Sequence, residues 1–113
     1  MTEDIRRTLD LYVQELKRLY GEALNSVILY GSYARGDYRE DSDIDIMILL
    51  SMKDQAAQNT MKNLAHLTFD FNMDHNTDIM PVVKGAEHFS QWSVAYPFYS
   101  NIKREGVSLY GAA

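Results

Sequence analysis

Two aspartates spaced i, i+2, Asp43 and Asp45, stand at the mouth of an apolar run that continues to Leu50, and Gly31 with Ser32 closes the apolar run before them. Successive strand residues point to opposite faces with a rise of about 3.3 Å, which places both carboxylates on one face roughly 7 Å apart. Ile44 then points the other way, into a core. Two like charges side by side resist burial unless something compensates them. A hard divalent cation taking oxygen ligands is the commonest compensation. Glycine lets backbone approach a ligand closely, and Ser32 can cap a short helix beginning near Tyr33, leaving backbone N–H groups for a phosphate. An anion cradle beside a metal dyad predicts a nucleoside triphosphate as ligand.

The elements that must position these groups follow from periodicity. Apolar residues at Ile5, Leu9, Tyr12, Val13, Leu16, Leu19 and Tyr20 predict an amphipathic helix over 2–20, capped at Thr2 and ended by Gly21. Ser26 to Tyr30 reads as a first strand, followed by a helical turn and loop over 33–39. Asp43 to Leu50 reads as a second strand, apolar on both faces apart from Asp45 and therefore central in its sheet. Ser51 to about Ala65 is helix-compatible with Ser51 as cap, an apolar stretch follows at 67–71, and Asn72 to Asn76 reads as a polar loop. Thr77 to Val83 predicts a third strand whose Pro81 places it at an edge. Asp78 opens that strand, one loop after Asp74. A connector or short helix over 84–91 leads to a closing helix from about Pro97 to Glu105, with Gly106 as a left-handed stop. A last short strand at 107–110 precedes a frayed end at 111–113. The fold class is α/β (α+β), a small mixed sheet flanked by helices, with 1–113 as one domain.

Composition bounds the chemistry. With 11 basic against 16 acidic residues the net charge is −5, and no basic stripe is visible, which argues against a long nucleic-acid substrate. No cysteine is present, so disulfides and thiolate metal sites are excluded. The N-terminus is charged, with no apolar signal core, and no run approaches a membrane span, which predicts a cytoplasmic protein without a membrane anchor. His66 and His75 have no partner at metal-ligand spacing and read as helix or loop residues. Arg35 and Arg39 are the only cations near the expected triphosphate; for Arg35 a bridge to Asp37 or Asp41 competes with phosphate binding, and for Arg39 the bridge is favoured. Eight tyrosines and one tryptophan suit either an interface or the core, the core being favoured.

The segment GSYARGDYREDSDIDIMI resembles the signature of the DNA polymerase beta-type nucleotidyltransferase superfamily, and within it the minimal nucleotidyltransferases, or MNT proteins. The resemblance spans about Ser26 to Val83 and rests on Gly31-Ser32, the Ala34-Arg35-Gly36 turn and Ser42-Asp43-x-Asp45 in order between two strands. It implies Mg²⁺-dependent transfer of AMP from ATP to a hydroxyl acceptor. It also implies a third carboxylate from the neighbouring strand, which Asp78 matches by position, with Asp74 as competitor. Asp43, Asp45 and Asp78 would hold two Mg²⁺ ions and carry catalysis, while Gly31, Ser32, Arg35 and Ser42 would contact the nucleotide. MNT proteins are commonly antitoxins that silence HEPN-domain RNase toxins by adenylylating a toxin tyrosine, so the resemblance implies a HEPN-domain toxin as partner. Two alternatives stay open: a stoichiometric HEPN-binding antitoxin without turnover, and a small-molecule nucleotidyltransferase working as a homodimer. Tyr33 departs from the family pattern at a position that often carries a basic residue.

Overall fold

The computed structural model describes residues 1–111. Eighteen residues of the N-terminus form helix α1 (Glu3–Tyr20), whose N-terminal amides are served by Thr2: its hydroxyl accepts from the Ile5 N–H at 3.2 Å. The chain leaves α1 through Gly21 at φ 58° and a 3₁₀ turn, then enters strand β1 (Leu24–Tyr30). A one-turn helix α2 (Ser32–Arg35) and a loop lead to β2 (Ile44–Leu50). Helices α3 (Asp54–Gln58) and α4 (Met61–His75), strand β3 (Ile79–Gly85), helices α5 (Ala86–Trp92) and α6 (Pro97–Glu105), and strand β4 (Val107–Tyr110) complete the described residues.

The sheet order is β3-β2-β1-β4, antiparallel at β2-β1 and β1-β4 and parallel at β3-β2. This is the expected mixed sheet, with β2 internal and the Pro81-bearing β3 at an edge, where the missing N–H costs no ladder bond. Alternation splits the strands between two cores. Val27, Leu29, Ile46, Ile48 and Val83 face α1 and α4, joining Leu9, Tyr12, Leu16, Leu64 and Phe71. Ile28, Met47 and Leu49 face the other way, against Phe89 of α5 and Tyr99 and Ile102 of α6. Asp45 shares this second face, so α6 lies over the same side of the sheet as the carboxylates.

Several expected boundaries shift for identifiable reasons. The helix expected from Ser51 is two helices, and Ser51 caps neither: α3 starts after Lys53, and the Asp54 carboxylate accepts from the Gly85 N–H at 2.9 Å instead. The polar stretch 72–76 is not a loop but the end of α4, which continues through His75 to a left-handed Asn76 at φ 53°. Asn72 explains the difference, because its amide closes the turn into β3. It accepts from the Ile79 N–H (2.9 Å) and the Thr77 hydroxyl (2.8 Å) and donates to the Ile79 carbonyl (3.1 Å). β3 consequently starts at Ile79, two residues later than expected. Gly106 is not a left-handed stop either, since its φ is −69°. Glycine is required there by crowding, because a Cβ would overlap the Ile28 side chain and the Ile102 carbonyl. The expected fraying at 111–113 falls outside the described residues for Ala112 and Ala113, while the Gly111 carbonyl accepts from the Ser108 hydroxyl at 2.9 Å.

Candidate active site

β1 delivers Tyr30, Gly31 and Ser32 to the same end of the sheet at which β2 begins. Tyr30 pairs with Asp45 across the antiparallel ladder, and Asp45 in turn faces Met80 across the parallel one. Gly31 turns the chain at φ 76°, and a Cβ at that position would run into the Asp45 carboxylate. The glycine is therefore what lets the end of β1 and the Asp45 carboxylate lie together. Gly31, not Ser32, occupies the cap position of α2, and Ser32 is the first helical residue with its hydroxyl uninvolved in capping. The Gly31 carbonyl accepts from the Ala34 and Arg35 amides at 3.1 Å. The earlier N–H groups of this single turn have no partner within it.

Asp43 and Asp78 come together as the next step of the β2-β3 register, fixed by the Ile44 N–H donating to the Asp78 carbonyl at 2.9 Å. The neighbouring Asp78 carboxyl, through hydrogen bonding and then its charge, holds the Asp43 carboxyl above its ordinary range. Asp45 is half-buried and also raised, first by desolvation and second by the Asp43 charge, with the Arg35 guanidinium pulling in the opposite direction. Tyr30 is pushed up to about 12 by burial and by the neighbouring Asp45 charge. Asp78 thus acts on Asp43, and Asp43 on Asp45, at the ends of two parallel strands. The competitor Asp74 stays exposed on the last turn of α4.

An all-oxygen, all-anionic donor set without imidazole or thiolate fits a hard divalent cation. Asp43 is raised by Asp78, and Asp45 by desolvation and then by Asp43, so both carboxyls lie where added positive charge would be favourable. The acids couple in pairs, Asp43 with Asp78 and Asp43 with Asp45, and among the described residues no three ligating side chains converge as a ready-made cage.

Gly31, Ser32, Arg35 and Asp45 line one side of a cleft of about 450 Å³, with Phe98, Asn101, Ile102 and Glu105 of α6 opposite. Arg35 points into it while its Nε stays 3.3 Å from Asp37, so bridge and cleft are served by one exposed side chain. Ser42 is elsewhere: its hydroxyl accepts from the Arg39 N–H at 2.8 Å and closes the loop before β2. Arg39 itself forms no ion pair among the described residues. A larger cavity of about 920 Å³ lies farther along the same face, over Ile28, Leu49 and Phe89. It holds none of the three aspartates, so chemistry and not volume marks the site. The α6 residues could not be foreseen from local pattern, because their amphipathic spacing gave only a covering helix.

The sequence matches the family described as "Nucleotidyltransferase domain" over residues 9–108, and the chain belongs to that family. It is a nucleotidyltransferase. A relative from Methanocaldococcus jannaschii, "Putative protein adenylyltransferase MJ0604", is 32% identical over 107 residues, covering 88% of this chain and 91% of the relative. "Protein adenylyltransferase MntA" of Thermococcus cleftensis is 37% identical over 46 residues, covering 41% and 44% of the two chains. Among solved structures, one described as "putative minimal nucleotidyltransferase" is similar with a TM-score of 0.60 at 22% identity, covering 95% of both chains. A tri-AMPylated Shewanella oneidensis HEPN toxin in complex with MNT antitoxin is similar with a TM-score of 0.51 at 17% identity, covering 95% of this chain and 73% of the other. At these identities the structural likeness establishes the fold.

Proposed function

We propose that this chain transfers AMP from ATP to a hydroxyl of a partner protein, a tyrosine of a HEPN-domain toxin, and thereby acts as its antitoxin in the cytoplasm. The observation that carries the proposal is the meeting of Asp45 with Gly31, Ser32 and Arg35 in one cleft. In this reading Gly31 and Ser32 hold the β- and γ-phosphates and Arg35 pairs with them through its fork. Asp43, Asp45 and Asp78 would hold Mg²⁺, which supplies neutralising charge to the triphosphate and lowers the acceptor hydroxyl's pKa. The acceptor oxygen bonds to the α-phosphorus, the bond from that phosphorus to the bridging oxygen breaks, and pyrophosphate leaves. Asp78 takes the acceptor's proton, a role supported by its place beside Asp43 at the start of β3, where the Ile44 N–H donates to its carbonyl at 2.9 Å.

A protein acceptor is favoured over a small molecule by the apolar surface beside the cleft. From Phe98 at the rim, rings run through Tyr99 to Tyr96 and to Trp92 stacked on Tyr96 at 5.3 Å. Phe98, Tyr96, Trp92 and the 91% exposed Val94 stand in solvent, with Met80 exposed on the strand beside Asp45. Such a patch beside a reactive centre suits a macromolecular partner. Among the described residues no helix is long and apolar enough to cross a membrane.

The test is intact-mass measurement of the HEPN partner after incubation with this chain, ATP and Mg²⁺, with the double variant Asp43→Ala/Asp45→Ala as control. The partner gains one or more AMP units, and the gain disappears in the control. A stable complex without mass gain would instead make the chain a stoichiometric binding antitoxin. Labelling of a small hydroxylated acceptor with the partner left unmodified would make it a small-molecule enzyme.

A further inference from the structure

The cleft has two chemically different walls. Gly31, Ser32 and Arg35 offer backbone, a hydroxyl and a guanidinium, which suit phosphates but give no purchase on a flat, weakly polar base. The opposite wall is a single helical face, since residues 98, 101, 102 and 105 recur at i, i+3, i+4 and i+7 on α6. It begins with an aromatic ring. Phe98 meets Tyr30 edge-to-face, with centroids 5.7 Å apart and planes at 83°, and is still 49% exposed. A perpendicular contact of this kind fixes the ring while leaving ring surface open to the cleft.

One helical turn on, the Asn101 Oδ1 accepts from Arg104 Nη2 at 2.8 Å. That bond occupies the acceptor of the amide and leaves its N–H groups as donors. A held aromatic face followed by an oriented amide donor is what a nucleobase requires: stacking that every base can use, and a hydrogen bond to a ring nitrogen or carbonyl. About 450 Å³ lies within the range of cavities that enclose small ligands.

We infer that α6 is the nucleoside wall of this site, with Phe98 stacking on the base of the nucleoside triphosphate and Asn101 donating a hydrogen bond to its edge. The inference rests on the reading of the cleft as the nucleotide site, and divides it into a phosphate half built by β1 and α2 and a base half built by α6. Neither α6 residue belongs to the Gly-Ser and Asp-x-Asp signature, and each is a binding residue, remote from the carboxylates in the chain.

Titration calorimetry with Mg·ATP and with Mg·tripolyphosphate, the same anion without a nucleoside, separates the two halves. Phe98→Ala weakens Mg·ATP binding about 10-fold or more, as expected for loss of one base stack, while tripolyphosphate binding is unchanged. Phe98→Tyr restores ATP binding, and Asn101→Ala changes the ratio of ATP to GTP affinity. Unchanged ATP affinity in Phe98→Ala overturns the inference. So does equal weakening of both ligands, which would make the ring a structural prop, and so does a wild-type protein that binds ATP no more tightly than tripolyphosphate. These measurements need no acceptor. Normal ATP binding with no transfer to a partner would therefore count against the proposed adenylylation while leaving the nucleoside wall standing.

Discussion

In the Asp45→Asn variant nucleotidyl transfer falls by several powers of ten, while the metal-free protein melts at a higher temperature than the wild type. The substitution keeps shape and volume but removes the charge that a hard cation needs as a ligand, so the charge neutralisation and hydroxyl activation expected of a two-ion site go with it. Stability moves the other way. Burial and the Asp43 charge together raise the Asp45 carboxyl despite Arg35, so folding disfavours its ionised form. A group whose folded value is raised contributes stability that is complete below its unfolded value, about 3.9, and is lost as pH rises through the folded value. Metal-free wild type should therefore lose melting temperature as pH climbs from about 4 through that raised value. Asp45→Asn should show a flatter profile, because asparagine does not titrate. Transfer assays and melting curves across this range check both halves. Wild-type activity in the variant would sink the metal-site assignment, and an unchanged melting profile would mean that Asp45 carries no strain.

Of Asp43, Asp45 and Asp78, the sequence pattern alone pointed to the first two. A strand's two-residue period puts Asp43 and Asp45 on one face, whereas Asp78 was expected only from the resemblance, with Asp74 as competitor, and the parallel pairing of β3 with β2 came from the structure. The register that pairs Ile44 with Ile79 brings Asp78 to Asp43. What could not be read was the far wall. Phe98, Asn101 and Glu105 carry a helical period that specifies burial of one face, but which face of the sheet α6 crosses, and at what height, depends on the chain's return through Gly106 to pair Val107 with Leu29. That pairing is non-local. Local chemistry likewise mistook Asn72 for loop, because the polar stretch 72–76 signals a turn, whereas the Asn72 amide spends its hydrogen bonds on Thr77 and Ile79 and lets the helix run on. Gly31 was expected to let backbone approach a ligand and Ser32 to cap the helix; in the structure the Asp45 carboxylate lies against Gly31, and the glycine takes the cap position.

Gly31→Ala tests that close approach, and Gly36→Ala is its natural control. Both glycines have positive φ, 76° and 86°, so each substitution forces an L-residue into backbone it rarely adopts. Their surroundings differ. At Gly36 a Cβ would meet nothing within 4 Å, whereas at Gly31 it would strike the Asp45 carboxylate. Gly36→Ala therefore carries only the conformational cost, about 1–2 kcal/mol of stability, and keeps most of its transfer activity. Gly31→Ala carries a similar or larger conformational cost, about 1–3 kcal/mol. In addition it must either push Asp45 aside or move the β1-α2 junction. A displacement of about 1 Å at a reacting centre costs on the order of 100-fold in rate, so transfer should fall by about that factor while the protein remains folded. The measurement is kcat for both variants beside their melting temperatures. Equal losses of activity in the two would show that backbone strain alone is felt at the site. A selective loss in Gly31→Ala, larger than its loss of stability explains, would establish that the missing side chain at position 31 is what gives Asp45 its place.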